Sequence, residues 1–374
     1  MKSDNCTGCS ACLNACAKGA IKMVEDERGF LKPQIDKDKC VDCGLCDKVC
    51  NATCSETIAQ KSLSAFYLKA SDEKVVEKST SGGAFTVLSD YVLAKGGLVC
   101  GSVMDQNFDV YHIVTSTSSD RDKMRGSKYV QSEIRNTFKE IKAALLQGKY
   151  VLFVGTPCQA AGLKAFLNKE YELLIIVDML CHGVPNVRMF KDHIRFIEGE
   201  TKKRAFSYSF RNKHYAWRPG AIQEIELDGK LSSCFNNQSF VDFFSKNLSL
   251  RTSCYDCEFR RQERCSDFTI ADFWDLVNVT GDKDAKGVSL VTANSSKAVS
   301  LISELSKNAH IKEVPYEKVA YRYQHKKLLM PRFDIAEFWE TYNQKRYKAI
   351  VRRYYDSSMY RRIKFFIKKV VYRK

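Results

Sequence analysis

Eight of the sixteen cysteines lie in the first fifty residues, and their spacing points to a specific chemistry. Cys6, Cys9, Cys12 and Cys16 follow C-x2-C-x2-C-x3-C, and Cys40, Cys43, Cys46 and Cys50 repeat it. Such a run ligates a [4Fe–4S] cluster in bacterial ferredoxins, with the fourth cysteine serving the other cluster of the pair. Thiolates three residues apart on a tight loop can reach three corners of one cubane, and the fourth corner needs a ligand from farther away. The expected sets are Cys6, Cys9, Cys12 with Cys50, and Cys40, Cys43, Cys46 with Cys16. Ala17 and Asn51 stand where proline usually follows the fourth cysteine. Structural zinc sites use separated C-x2-C pairs instead. A disulfide framework needs an oxidising compartment, and the opening MKSDNCTGC has no apolar leader core.

The body of the chain carries thiols at three further motifs. Residues 150–154 (YVLFV) read as a buried strand followed by the turn Gly155-Thr156-Pro157-Cys158, and residues 173–180 as another, ending at Cys181-His182-Gly183. Ligands of open α/β sheets bind outside the carboxyl ends of the strands, which makes both turns candidates for a site. Each thiol alone also fits a small buried apolar residue. Cys254 and Cys257 form a C-x2-C pair, which by itself fits zinc, a redox dithiol or a cluster. Cys158 and Cys181 could complete a four-thiolate set with that pair, and Cys265 is a fifth candidate.

The elements that must position these groups alternate. Residues 21–35 read as a hairpin with Gly29 at its turn. Residues 84–94 are apolar at helical spacing behind Ser81, Gly82 and Gly83. Residues 98–104 are strand-like, 134–146 predict a helix ended by Gly148, and 160–167 predict another. This βαβ pattern argues for a mixed α/β body with some parallel sheet, preceded by a small ferredoxin-like α+β dicluster domain. The expected boundaries are 1–56 for the cluster domain, 63–331 for the body and 345–374 for a basic tail.

Several separated motifs in order carry a family resemblance: TSGGAFT at 80–86, GSKYVQS at 126–132, FVGTPCQ at 153–159, CHGVP at 181–185, and the C-x2-C pair followed by FTIADFW at 268–274. From about residue 63 to 315 the chain resembles the coenzyme F420 hydrogenase/dehydrogenase beta-subunit family, in which a ferredoxin-like module ahead of the body also occurs. The resemblance implies an FAD-binding iron–sulfur flavoprotein that moves a hydride between coenzyme F420 and FAD and single electrons along clusters to or from a partner. It places FAD against Ser81, Gly82, Gly83, Ser127, Lys128, Tyr129, Gly155, Thr156 and Pro157, and a third cluster on Cys158, Cys181, Cys254 and Cys257. His182 and Lys128 are its candidate catalytic groups. The bland readings are a capped helix start for Ser81–Gly83, a solvated lysine for Lys128 and a structural histidine for His182. The segment Arg264-Cys265-Ser266-Asp267 departs from the family's R-x-G-D-like pattern, which leaves the fourth ligand of the third cluster open.

The 374 residues suffice for two or three domains, and no apolar stretch is long enough to span a bilayer. Cysteine usage without a leader points to a reducing cytoplasm. Of the net charge of +16, most comes from residues 345–374, where twelve Lys or Arg meet one acidic residue, Asp356. From Tyr360 onward Ile363, Phe366, Ile367 and Val370 share one helical face. The tail is therefore expected to lie on an anionic membrane surface, with no nucleic-acid role. Beside the flavin-linked oxidoreductase stand two alternatives. One is a redox enzyme of polysaccharide or cell-envelope synthesis acting on a sugar or lipid-linked intermediate. The other is a non-catalytic electron-transfer subunit serving a redox partner protein or ferredoxin.

Overall fold

A computed structural model describes residues 5–51, 61–213, 217, 222–233, 238–320, 328 and 330–355. Cys54 and the amphipathic stripe from Tyr360 lie outside the described residues. In the N-terminal module each cysteine run opens as a loop that turns into a short helix, Ala11–Ala15 and Leu45–Lys48. Both helices start behind a left-handed residue, Ser10 and Gly44, so the sequence repeat is also a repeat of backbone conformation. Between the runs, strands β1 (Ile21–Glu25) and β2 (Leu31–Ile35) form an antiparallel hairpin, and Gly29 takes a φ of +85° at its turn.

The body is built on β3 (Ser64–Ala70), β4 (Leu98–Met104), β5 (Val110–Thr115), β6 (Val151–Val154) and β7 (Leu174–Met179). A separate antiparallel sheet holds β8 (Ala205–Asn212), β9 (Ile222–Leu227) and β10 (Lys230–Ser233). Strands β11 (Phe268–Asp272), β12 (Ser289–Ala293) and β13 (Ala309–Val314) complete the main sheet, whose order is β13-β3-β12-β11-β7-β6-β4-β5. Its centre is parallel: β4 with β6, β6 with β7 and β7 with β11. The carboxyl ends of these four strands therefore share one edge.

Burial explains why β6 and β7 read as continuous apolar runs. Leu152, Val154, Ile175 and Val177 face a core beneath the helices Ala84–Ala94 and Ser296–Leu305. Their neighbours Val151, Phe153, Leu174 and Ile176 face the opposite core, beneath the helices Thr137–Leu146 and Pro157–Leu167. A sheet covered on both faces shows no polar alternation. The helix expected at 134–146 begins at Thr137 because Arg135 takes a left-handed φ of 54°. The helix expected at 160–167 begins earlier, at Pro157. Proline suits a first helical position, and the Thr156 amide donates to Gln159 Oε1 at 3.0 Å.

The cluster module packs against the body. Cys9, Ala11 and Val49 belong to the core beneath the helix Pro157–Leu167. A Cβ on Gly162 of that helix would lie 2.9 Å from Cys9 Sγ, so only glycine admits the contact. Asn14 Nδ2 donates to Arg135 O at 2.8 Å and Asn51 Nδ2 to Cys158 O at 2.7 Å. At the hairpin tip Asn186 Nδ2 donates to Arg28 O at 2.6 Å. Phe30 meets Trp339 of the helix Ile335–Tyr354 edge to face, with centroids 5.6 Å apart. The hairpin is thus embedded in an aromatic core that includes Phe190, Phe240, Phe243 and Tyr347.

Candidate functional site

The strand-end thiols and the C-x2-C pair converge. Cys158 opens the helix after β6, Cys181 follows β7, and Cys254 ends the single turn Thr252–Cys254. With Cys257 all four line one open cavity, together with Thr7, Gln131, Thr156, Ser253 and Arg260. Burial raises the Cys181 thiol, and Cys254, Cys158 and Cys257 raise it further through their own charge. Burial also pushes Cys254 up to about 12 and Cys257 to about 11, with Cys158 adding to both. Four thiols this desolvated become thiolates only against a compensating metal. Among the described residues no three ligating side chains sit closely enough for a single metal ion. Thr156 Oγ1 lies 3.2 Å from Cys158 Sγ, and backbone N–H groups reach Cys254 and Cys257. Cys265 is buried behind the set, packed with Ala161 and Phe259, and does not line the cavity.

The first N-terminal run borders the same cavity through Thr7. Cys12 is pushed up to about 12, by burial first, then by the charges of Cys6 and, more weakly, Cys50 and Cys46. Cys50, expected as the fourth ligand beside Cys6, Cys9 and Cys12, is among those charges, and so is Cys46 of the second run. Cys9 is raised by burial, with Cys158 the leading charge upon it. The amides of Gly8 and Ala20 donate to Cys6 and Cys16 Sγ at 3.4 and 3.3 Å. At the far end of the module Cys43 is exposed, beside exposed Val41 and Leu45.

The candidate cofactor residues gather on the same sheet edge, but their roles differ from expectation. Gly82 was expected to leave room for a cofactor phosphate. Its space is instead taken by the sheet: a Cβ would lie 2.2 Å from Leu68 O and 2.6 Å from Ser289 N, and the Gly82 amide donates to Ser289 Oγ. Ser81 Oγ donates to Val288 O. Gly83 caps the helix Ala84–Ala94 at φ 92° with no side-chain cap, so that N-terminus keeps its positive end. Ser127 joins it, its amide donating to Thr80 Oγ1 at 3.0 Å. Lys128 was expected to put a free ammonium near the flavin. Its Nζ instead donates to the carbonyls of Met124, Arg125 and Gly126. Desolvation lowers it to about 8, and its charge reaches His112, whose Nε2 sits 3.0 Å from Val154 O just before Gly155. Tyr129 stacks on Phe244 with centroids 5.2 Å apart. His182 is exposed, its Nε2 2.6 Å from Asn247 Oδ1 and its ring edge-on to Phe244.

Sequence reasoning passed over several charged residues here. Lys213 Nζ donates to Val76 O at 2.7 Å and to the Ser81 carbonyl, and desolvation lowers it to about 8. Arg211 pairs with Asp272 and lies 4.9 Å from the Trp274 ring. Arg251 and Arg260 border the thiols. Their partners lie far away in sequence, and only the R-x-x-C spacing of Arg251 to Cys254 offered a local sign.

Residues 65–139 match the N-terminal family model, and residues 148–319 the C-terminal one, of the coenzyme F420 hydrogenase/dehydrogenase beta subunit. Residues 5–54 match the 4Fe-4S dicluster domain. The chain belongs to the coenzyme F420 hydrogenase/dehydrogenase beta-subunit family and carries an N-terminal dicluster domain. It is similar to the coenzyme F420-dependent sulfite reductase of Methanocaldococcus jannaschii, at 24% identity over 321 residues. That match covers 84% of the chain but 48% of the relative, so the chain spans about half of the relative's length. Among solved structures, a chain of the F420-reducing [NiFe] hydrogenase complex from Methanosarcina barkeri aligns at 14% identity and a TM-score of 0.47, covering 80% of this chain and 93% of that one. No helix among the described residues is long and apolar enough to cross a membrane.

Proposed function

We propose that the chain is an iron–sulfur flavoprotein oxidoreductase unit that links a two-electron hydride carrier to a one-electron partner. The observation that carries this reading is the adjacency of two thiol groups, the body's four-cysteine cavity and the first N-terminal run, at a strand-end edge. When bound, FAD would exchange hydride with a carrier such as reduced coenzyme F420, and clusters would carry electrons singly. Cys158, Cys181, Cys254 and Cys257 hold the body cluster. Cys6, Cys9, Cys12 and Cys50 hold the next, and Cys16, Cys40, Cys43 and Cys46 hold the outermost. The outermost place follows exposure: of these twelve cysteines Cys43 alone is exposed, and a redox partner protein or ferredoxin would dock there on Val41 and Leu45.

The residues of the edge fit FAD in part. The uncapped helix start at Ala84, the Lys213 ammonium and the Ser127 hydroxyl supply positive charge and donors for a pyrophosphate. Thr156 and Pro157 line the way from that edge to the body thiols. Gly82 and Lys128 shape the turns rather than contact the cofactor. His182, exposed beside Cys181, is the candidate proton donor. The experiment is anaerobic purification followed by flavin and iron analysis and reduction by reduced coenzyme F420. FAD bleaching with cluster reduction is expected. Iron-loaded protein without flavin would leave only an electron-transfer subunit. Among the described residues nothing favours the polysaccharide reading.

A further inference from the structure

Arg251 is 2% exposed and lies between the first cysteine run and the body thiols. Its Nε donates to Gln131 Oε1 at 2.9 Å, one Nη to Cys6 O at 3.1 Å and the other to Leu31 O at 2.8 Å. The guanidinium lies 5.0 Å from the Phe30 ring centroid. Gly8, inside the Cys6–Cys9 loop, packs directly on it: a Cβ there would lie 2.8 Å from an Arg251 Nη. On the other side the Arg251 carbonyl accepts from the Cys254 amide at 2.9 Å. Its charge acts to lower both Cys158 and Cys254.

All three hydrogen-bond acceptors are neutral, and among the described residues no carboxylate pairs with this guanidinium. A buried charge without a counter-ion costs several kcal/mol. A four-thiolate cluster is a net anion whose charge grows on reduction, and net charge and hydrogen bonding set its potential. The missing counter-charge is therefore the clusters themselves.

We propose that Arg251 is the shared counter-charge of the first-run cluster and the body cluster, raising both potentials and holding the two at matched levels for electron transfer. This rests on the cluster assignment above. Arg251 is a positioning residue: it touches the ligand-bearing backbone and no reacting atom.

The test is an anaerobic redox titration of the full chain followed by paramagnetic resonance. In Arg251→Met the midpoints of two clusters should fall, each by about tenfold in the reduced-to-oxidised ratio, about 59 mV for a one-electron couple. The outermost cluster should not move. Arg251→Lys should restore most of the shift. Gln131→Glu places a carboxylate on Nε without emptying the site and should lower the same two midpoints, which keeps the test decisive if the Met variant fails to fold. Full iron with wild-type midpoints in Arg251→Met or Gln131→Glu overturns the proposal. So does a fall in Arg251→Lys equal to that of the Met variant. Wild-type protein without iron would instead sink the cluster assignment.

Discussion

Individual residues on the sheet edge divide into groups that hold the turns and groups left for a ligand. Gly82 belongs to the first kind. Gly82→Ala should lower the thermal midpoint sharply or abolish soluble protein, because the Cβ meets strand backbone that has no room to shift. A variant that kept wild-type stability while losing flavin would show that Gly82 serves the cofactor instead. Lys128 follows the same logic. Lys128→Met leaves three carbonyls short of a donor and should cost about 1–3 kcal/mol, read by denaturant unfolding. The same change at Lys213, whose ammonium holds the Ser81 carbonyl, should weaken flavin binding beyond its effect on stability. Equal flavin affinity in wild type and Lys213→Met would remove Lys213 from the cofactor site. None of these roles could be read from the sequence. A glycine beside a helix start looks the same whether its missing side chain makes room for a phosphate or for the next strand.

At the scale of elements, the hairpin about Gly29, the helix Ala84–Ala94 and strand β4 match the bounds read from the sequence. The parallel centre was legible because both faces of β6 and β7 are covered, which writes an unbroken apolar run into the chain. The three-stranded β8–β10 sheet and the aromatic core were not legible, since their partners come from Phe30, Phe190, Phe240 and Trp339, far apart in sequence. That core contains a titratable seam. His193 of the helix Val187–Thr201 is fully buried, with Nδ1 3.0 Å from the Tyr347 hydroxyl of the helix Ile335–Tyr354. Burial lowers it from 6.5 to about 3. The unfolded chain therefore binds this proton first, and stability falls as pH drops from about 6.5 toward 3. At pH 5 the loss is about 2 kcal/mol relative to neutral pH. A His193→Phe variant should lose less stability between pH 7 and pH 5 than wild type does. Parallel losses in the two proteins would place the acid sensitivity elsewhere.

For the whole molecule, the account turns on the cluster module being built into the body. Both thiol groups of the enclosed pair were legible as ligand candidates; their adjacency was not, because it depends on Gly162, Asn51 and Arg251, none of which carries a local signal. Deleting residues 1–51 uncovers the Gly162 face and leaves Arg251 without Cys6 O and Leu31 O. The remaining chain should be less soluble and should melt at a lower temperature than the full chain, which light scattering and calorimetry would register. A body that melted like the full chain would restore the picture of independent domains. The most direct measurement of the central claim is iron per chain in anaerobically prepared wild type and Cys254→Ser. The account predicts about twelve irons in the wild type, as three cubanes, and about eight in Cys254→Ser with the two N-terminal clusters intact. Wild-type protein holding about eight irons, or zinc at the Cys158, Cys181, Cys254 and Cys257 cavity, would contradict it.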